Sequence, residues 1–336
     1  MHSYWKDLEN PDGTWSGLAI QLSSGTPVKP VMRLQTGADG RIKLINSDHP
    51  VFWATMTRYY SGVWLIKSFY ETTLEEMPIP PIRSSDIESR KVLTGDNKLK
   101  AWSRYFIQQL TTSKASFLYP GLWMCSAFVC DSTSGEWCYH SVDTIQNHDC
   151  RAIYQVKQAL REDQPEWIDW GINGSYDLIS LKQPDQHDGR LKWWRKKAKE
   201  NSLPPILIWY LRCLDSYIII DGHYRLQAAY LENTPPELMV LYSAEEINVT
   251  QDESAQRSII QSLSQTSTSK RRKPISVDRM NDILIQAFNT NPVIHANTQG
   301  WAEIREDTLW VDEVSQILKY HNKSHLLEKI ITREGL

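Results

Sequence analysis

The sequence predicts an α+β protein, with strands concentrated in the first half of the chain and helices in the second. Short apolar runs separated by turn residues fill 1–165, as in antiparallel sheets. Strand and helix patterns alternate over 175–265, which indicates a mixed sheet with helices packed on it. Apolar residues then recur at helical spacing. We therefore expect a β-rich domain at 1–165, a mixed α/β domain at 175–265 and a C-terminal helical segment at 274–336.

The composition is that of an ordinary globular chain. Its 336 residues are 41% hydrophobic and 23% charged, enough to bury a core without disulfides or metals. The net charge of −3 gives no chain-wide attraction to nucleic acid. The N-terminus lacks the apolar segment of a signal peptide, and no apolar run reaches the length of a membrane span. We expect a cytoplasmic protein that does not enter a membrane.

The N-terminal half is predicted to consist of hairpins. Apolar side chains of the second hairpin fall on both of its faces, which indicates that part of it is covered twice. The 14 Trp are interpreted as core residues or, alternatively, as stacking surfaces for bases or sugars. The predicted elements are strands 18–22, 31–36, 41–45, 52–59 and 63–72, an extended loop 75–86, helix 101–110, strands 121–130 and 136–142, helix 152–161 and a linker 167–175.

No catalytic motif appears in this half, so recognition or scaffolding is its default role. A zinc site is conceivable at four clustered cysteines. However, they include no CxxC pair, and two of them fall on opposite faces of one predicted strand. Reduced thiols fit better. The residues concerned are Cys125, Cys130, Cys138 and Cys150, with His140 and His148 nearby.

The second half of the chain contains the stretch on which a functional prediction can be built. Residues 217–220 form an apolar β-branched run, typical of a strand covered on both faces. Asp221-Gly222 is a turn signal, since Gly permits backbone angles that a Cβ forbids. From Tyr224 the residues favour a helix. One face of that helix is predicted to carry Leu226, Ala229 and Tyr230.

This strand–turn–helix arrangement is suited to binding an anion. A helix that begins directly after a glycine turn offers free N–H groups and the positive end of its dipole. Arg225 lies in the first turn, where it can clamp a phosphate or carboxylate, or form a buried salt bridge that fixes the turn. The neighbouring predicted elements are strand 177–181, helix 190–201, strands 204–210 and 238–242, helices 253–264 and 308–320, a helix capped by Ser276, and helix 324–331.

The segment Asp221-Gly-His-Tyr-Arg225, followed by Ala228-Ala229, resembles the signature of the ParB/sulfiredoxin-like fold. The resemblance covers about 175–265. In that family the backbone of the motif and its Arg hold nucleotide phosphates. It therefore implies that Asp221, Gly222, His223 and Arg225 bind ATP or another nucleotide with Mg²⁺. Sulfinic-acid repair is disfavoured, because His223 stands where sulfiredoxins carry Cys.

The same resemblance suggests a catalytic pair. Free-serine kinases of this fold carry a His-Glu pair upstream of the motif, and its carboxylate acts as general base. Here His187-Asp188 lies at a similar distance, where Asp188 can serve as the base or form an ordinary polar loop. His223 can donate to a phosphate oxygen or be a structural residue. The prediction is nucleotide hydrolysis or phosphoryl transfer, largely by positioning and charge neutralisation.

Two alternatives remain open. The first is a non-enzymatic, immunity-like or regulatory protein, whose β-rich half binds a protein partner. The second is DNA binding or nicking through the basic helix 190–201 and the basic run 270–273. Arg257 corresponds only loosely to a second nucleotide-contacting segment of ParB proteins. The C-terminal helices are predicted to form a bundle that closes the mixed domain, or a dimer contact, rather than to read DNA, because they lack base-reading side chains.

Overall fold

The computed structural model describes residues 2–24, 28–69, 73–131, 137–141, 153, 156–160, 164–170, 177–247, 253–268, 276, 279–281, 283–284 and 293–336. The chain divides into two compact units. The larger comprises 1–145, 149–244 and 296–336, and the smaller comprises 146–148 and 245–295.

Helices and strands are both abundant, which confirms the predicted α+β class. The strands are β1 (His2–Glu9), β2 (Trp15–Ser23), β3 (Met32–Thr36), β4 (Arg41–Asn46), β5 (His49–Met56), β6 (Gly62–Lys67), β7 (Gly121–Asp131), β8 (Cys138–Ser141), β9 (Glu166–Asp169), β10 (Leu178–Ile179), β11 (Ile206–Leu211), β12 (Ser216–Asp221), β13 (Leu238–Ile247), β14 (Val293–Asn297) and β15 (Gly300–Trp301). The α-helices are α1 (Ser84–Glu88), α2 (Gly95–Thr112), α3 (Gly189–Lys199), α4 (His223–Leu231), α5 (Glu253–Thr268), α6 (Asp307–Tyr320) and α7 (Leu327–Thr332).

The first sheet combines strands from both predicted domains. Its strand order is β1-β2-β7-β13-β11-β12-β10, and β8 pairs with β7. The junction is the antiparallel pair β7–β13, in which Phe128 lies opposite Leu238. The observed division of the chain therefore differs from the predicted boundary between 1–165 and 175–265. The physical reason is that β7 and β13 are both largely buried, so each needs a neighbouring strand to satisfy its backbone N–H and C=O groups.

The second sheet has the order β15-β3-β4-β5-β6-β9. Part of the predicted linker 167–175 is in fact strand β9, which pairs antiparallel with β6 and places Ile168 opposite Val63. Ile168 is fully buried, and the ladder to β6 explains why this short apolar segment is ordered as a strand.

The predicted helix 152–161 is also different in the structure. Val156–Leu160 is a short 3₁₀ helix, and Ile153 forms an isolated antiparallel bridge with Tyr139. Ile153, Val156 and Ala159 are all buried. Val156 and Ala159 are three residues apart, which matches the turn of a 3₁₀ helix, whereas Ile153 lies before this helix.

Alternating side chains of the first sheet enter two different cores. In β11, Leu207, Trp209 and Leu211 pack into the core between the two sheets. The intervening residues of β11 pack into a second core on the other face, which also contains Leu226 and Ala229 of α4. The prediction that Tyr230 shares this inward face was wrong: its side chain is 45% exposed.

A third core explains the two apolar faces of hairpin β5–β6. Trp53 and Trp64 pack against Trp310 and Val314 of α6, whereas their strand neighbours face the core between the sheets. Glu313 of α6 accepts a hydrogen bond from Trp53 Nε1. The C-terminal helices therefore cover the second sheet, and the predicted bundle on the mixed domain is not observed. All 14 Trp are buried or packed against a core, which favours the packing interpretation.

Candidate functional site

The centre of the site is the turn between β12 and α4. Gly222 adopts a left-handed conformation (φ +117°) and is the N-cap of α4. A Cβ on Gly222 would lie 2.9 Å from Arg225 Nη2 and 3.0 Å from Ile206 Cγ2. Both the backbone angle and the close packing therefore require glycine. The first N–H groups of α4 have no partner within the helix, and residues 222–225 line a cavity.

A cavity of about 140 Å³ opens beside this turn. Its lining comes from the motif (219–225), from residues 181–182, from α3, from the second sheet and from the loop 77–81. Typical small-molecule pockets enclose roughly 300–1,000 Å³. A ligand as large as a nucleotide would thus be only partly enclosed. All of these residues belong to the larger unit.

Arg225 is held inside the protein. Its side chain is 2% exposed, and Nη2 donates to Pro205 O at 2.9 Å and to Asp221 Oδ2 at 2.8 Å. The guanidinium also lies 5.4 Å from the ring centroid of Trp194. This geometry favours the second of the two predicted roles, the buried salt bridge that fixes the turn. Arg225 nevertheless lines the cavity, and its Nε has no hydrogen-bond partner.

His223 is a neutral residue at this site. Burial above all, together with the nearby cations Lys182, Arg225 and Lys67, lowers its pKa to about 3. Its Nε2 is buried without a hydrogen-bond partner, and the residue lines the cavity. A neutral imidazole can present either an N–H donor or a lone pair, so His223 retains the chemistry predicted for a ligand contact.

The predicted catalytic pair, His187 and Asp188, lies outside the lining of the cavity, whereas the motif forms part of that lining. Asp188 is the N-cap of α3, where Oδ1 accepts from Arg190 N at 2.8 Å, and Oδ2 accepts from Tyr224 OH at 2.7 Å. These two hydrogen bonds, that from the Arg190 backbone first, hold the pKa of Asp188 below its ordinary value. His187 is exposed. Among the described residues that line the cavity, neither His187 nor Asp188 appears.

Tyr224 nevertheless joins Asp188 to the motif. Its ring lines the cavity, while its hydroxyl holds the Asp188 carboxylate. A carboxylate that caps a helix and accepts from a phenol is a weaker base than a free one. The geometry therefore makes Asp188 a residue that positions α3 and Tyr224.

The electrostatic character of the cavity is positive. Lys182 and Arg190 line it together with Arg225, and the guanidinium of Arg190 lies 5.8 Å from the Tyr224 ring centroid. Asp221 supplies the one carboxylate among the described lining residues. Three cationic side chains against one carboxylate among the described lining residues suit an anionic ligand.

Asp221 is the residue here that can contribute to a Mg²⁺ site. Mg²⁺ in nucleotide sites is usually held by one or two carboxylates together with phosphates and water. Oδ2 of Asp221 is engaged with Arg225, which leaves Oδ1 for an ion. When bound, Mg²⁺ would neutralise phosphate charge.

Sequence reasoning missed Asn46. This residue of β4 is 1% exposed and lines the cavity from the second sheet. Its Nδ2 donates to Glu76 O at 2.7 Å, whereas Oδ1 has no hydrogen-bond partner. Nothing in the pattern of β4 marks Asn46, because its role depends on packing between the two sheets.

The basic helix predicted to meet DNA has most of its charges paired. Arg195 and Lys199 of α3 form ion pairs with Glu232, and Lys197 pairs with Glu200. The basic run 270–273 lies outside the described residues. Arg257 lies in α5, which belongs to the smaller unit.

The cysteine cluster is divided between two cores. Cys125 is buried in the core between the sheets, and Cys130 packs against the core on the other face. Cys150 and His148 lie outside the described residues. Within the described part of the chain, no three His, Cys, Asp or Glu side chains are grouped so that they could hold a metal ion.

No protein-family model, curated protein or solved structure matches the chain. Across the described ranges, no helix combines the length and the apolar character needed to cross a membrane.

Proposed function

We propose that the cavity beside Gly222 binds a nucleoside di- or triphosphate, with the phosphates at the N-terminus of α4. The supporting observation is the Asp221-Gly222 turn, which directs that helix end towards a cavity lined by Lys182 and Arg190. Helix N-termini and cations are a common combination for phosphate binding. The resemblance of the motif to the ParB/sulfiredoxin-like fold supports the same ligand and is part of the proposal.

Binding without turnover is the form of this function that the geometry supports best. Both oxygens of Asp188 accept hydrogen bonds, and its pKa is lowered, so a free general base is missing from the described cavity. A nucleotide-responsive binding or regulatory module fits these contacts. Hydrolysis or phosphoryl transfer is the second candidate, favoured by the Tyr224 contact that brings Asp188 to the motif. A cytoplasmic location belongs to the same proposal, since Cys125, Cys130, Cys138 and Cys213 are all free thiols.

The test is calorimetric titration with ATP, ADP, CTP and GTP, with and without Mg²⁺. Arg190→Ala is expected to weaken binding about tenfold, because it removes a cation that lines the cavity. Lys192→Ala is the matched control: this exposed cation of the same helix does not line the cavity. Equal losses in both variants, or no heat with any nucleotide, would contradict the proposal.

Turnover is tested separately by phosphate release from the bound nucleotide. Asp188→Asn keeps a good N-cap for α3, so the variant is expected to fold. If wild-type protein releases phosphate and Asp188→Asn does not, the catalytic candidate replaces simple binding. Saturable binding with no release in either protein supports the binding module.

A further inference from the structure

Three unsatisfied polar atoms belong to residues that line this one cavity. They are Asn46 Oδ1, His223 Nε2 and Arg225 Nε, each buried without a hydrogen-bond partner. A buried polar group left unpaired costs free energy, and such groups in folded proteins usually have a partner. Asn46 and Arg225 are 1% and 2% exposed, so bulk solvent does not satisfy them.

The three atoms differ in whether they can donate or accept a hydrogen bond. Asn46 Nδ2 already donates to Glu76 O, which fixes the orientation of the amide and leaves Oδ1 as an acceptor. Arg225 Nε carries a hydrogen and can only donate. A ligand that satisfies both atoms must therefore present an N–H or O–H donor as well as an acceptor.

The remaining walls on the side of Asn46 are apolar apart from Ser68. Met32 and Val51 of the second sheet and the loop residues Met77, Pro78 and Ile79 line the cavity, and Pro78 and Ile79 are buried. Apolar walls with a few convergent polar groups are typical of small-molecule sites. The cations and the helix end lie in other elements, α3, α4 and residue 182.

We propose that Asn46 determines the base specificity of the site by accepting a hydrogen bond from an exocyclic amino group of the nucleobase, as present in adenine, cytosine and guanine but not in uracil. This inference rests on the proposed nucleotide binding and names the group that is read. The base would lie between the second sheet and the loop 77–81, and the phosphates would lie at α4. The first sheet and the second sheet then contribute to one site.

The experiment compares nucleotides that carry the amino group with nucleotides that lack it. ATP is titrated against purine riboside triphosphate, which lacks the N6 amine, and CTP against UTP, in which a carbonyl replaces it. We expect purine riboside triphosphate and UTP to bind about tenfold or more weakly than their partners, because Asn46 Oδ1 stays unpaired or faces an acceptor. Asn46→Leu should abolish the difference within each pair.

The outcomes separate the two proposals. Equal affinity for ATP and purine riboside triphosphate, with binding intact, overturns the role of Asn46 and leaves nucleotide binding standing. Failure of every nucleotide and of pyrophosphate to bind overturns the proposed function and this inference with it. If Asn46→Leu does not fold, the two ligand pairs on the wild-type protein still decide the question.

Discussion

The hydroxyl of Tyr224 donates a 2.7 Å hydrogen bond to Oδ2 of Asp188, which joins the start of α4 to the N-cap of α3. Through this contact the loop before α3 and the Asp221–Arg225 turn form one unit beside the cavity. The pair also makes the protonation of Asp188 depend on a residue of the motif. The consequences of this hydrogen bond can be measured directly.

Removal of the phenol should raise the pKa of Asp188. In the folded protein that pKa is lowered, so the associated stability is present above the ordinary value near pH 4 and is lost as the pH falls through the folded value. In Tyr224→Phe the folded pKa lies closer to the unfolded value, so this acid loss should be smaller and should be complete at a higher pH. Carboxyl NMR titration measures the pKa of Asp188 directly. Tyr230→Phe, at an exposed site of the same helix, is the control, and an unchanged Asp188 pKa in Tyr224→Phe would contradict the assignment.

Arg225→Ala should destabilise the fold. The substitution removes the buried partner of Asp221 and a donor to Pro205 O, and the expected loss is about 3–5 kcal/mol in the free energy of unfolding. Urea denaturation measures this loss, with Lys192→Ala as an exposed control. A variant as stable as wild type that has lost nucleotide affinity would restore Arg225 to the role of a free phosphate clamp.

Gly222→Ala should be more harmful than the same change at Gly95. Both glycines have positive φ, +117° and +53°, but a Cβ on Gly95 meets nothing within 4 Å. Gly95→Ala therefore reports the cost of the backbone conformation alone, about 1–2 kcal/mol. Gly222→Ala adds a φ far from the left-handed region near +57° and the contacts with Arg225 and Ile206, so thermal unfolding should show a clearly larger loss. Equal losses would mean that the turn is not tightly packed.

His223 should make the protein less stable in acid. Its pKa is lowered to about 3, whereas an unfolded His titrates near 6.5. Between these values the unfolded state binds more protons, so stability rises with pH from about 3 to 6.5. His223→Gln should flatten this dependence in urea denaturation curves recorded at pH 7 and pH 5. His187→Gln is the matched change at an exposed histidine. A pH dependence that is unaltered in His223→Gln would show that His223 is not the buried neutral group.

Trp310→Ala tests how the C-terminal helices pack. Trp310 is 2% exposed and belongs to the core that contains Trp53 and Trp64. Its truncation should cost about 3–5 kcal/mol. Leu309→Ala changes a neighbour that is 60% exposed, and it should cost less than about 0.5 kcal/mol. Similar unfolding midpoints for the two variants would contradict the packing of α6 on the second sheet.

Local patterns predicted much of this fold. The run before Asp221, the Gly222 turn and the following helix are recognisable from the sequence, because each depends on neighbours within a few residues. The prediction of a linker at 167–175 was wrong for the residues of β9, because a four-residue strand is specified mainly by its partner, here β6. The prediction of a helix at 152–161 was wrong because the local apolar pattern did not show that Ile153 pairs with Tyr139 of β8.

The sequence by itself determined the α+β class, the strand–turn–helix at Asp221–Arg225 and the requirement for glycine at its centre. Only the tertiary structure decided what these residues contact. Arg225 bonds to Pro205 O, Tyr224 to Asp188, and Asn46 lines the cavity from a different sheet. The physical reason is the separation along the chain. Backbone angles and i, i+4 spacing depend on neighbouring residues, whereas contacts with distant strands depend on how the sheets pack.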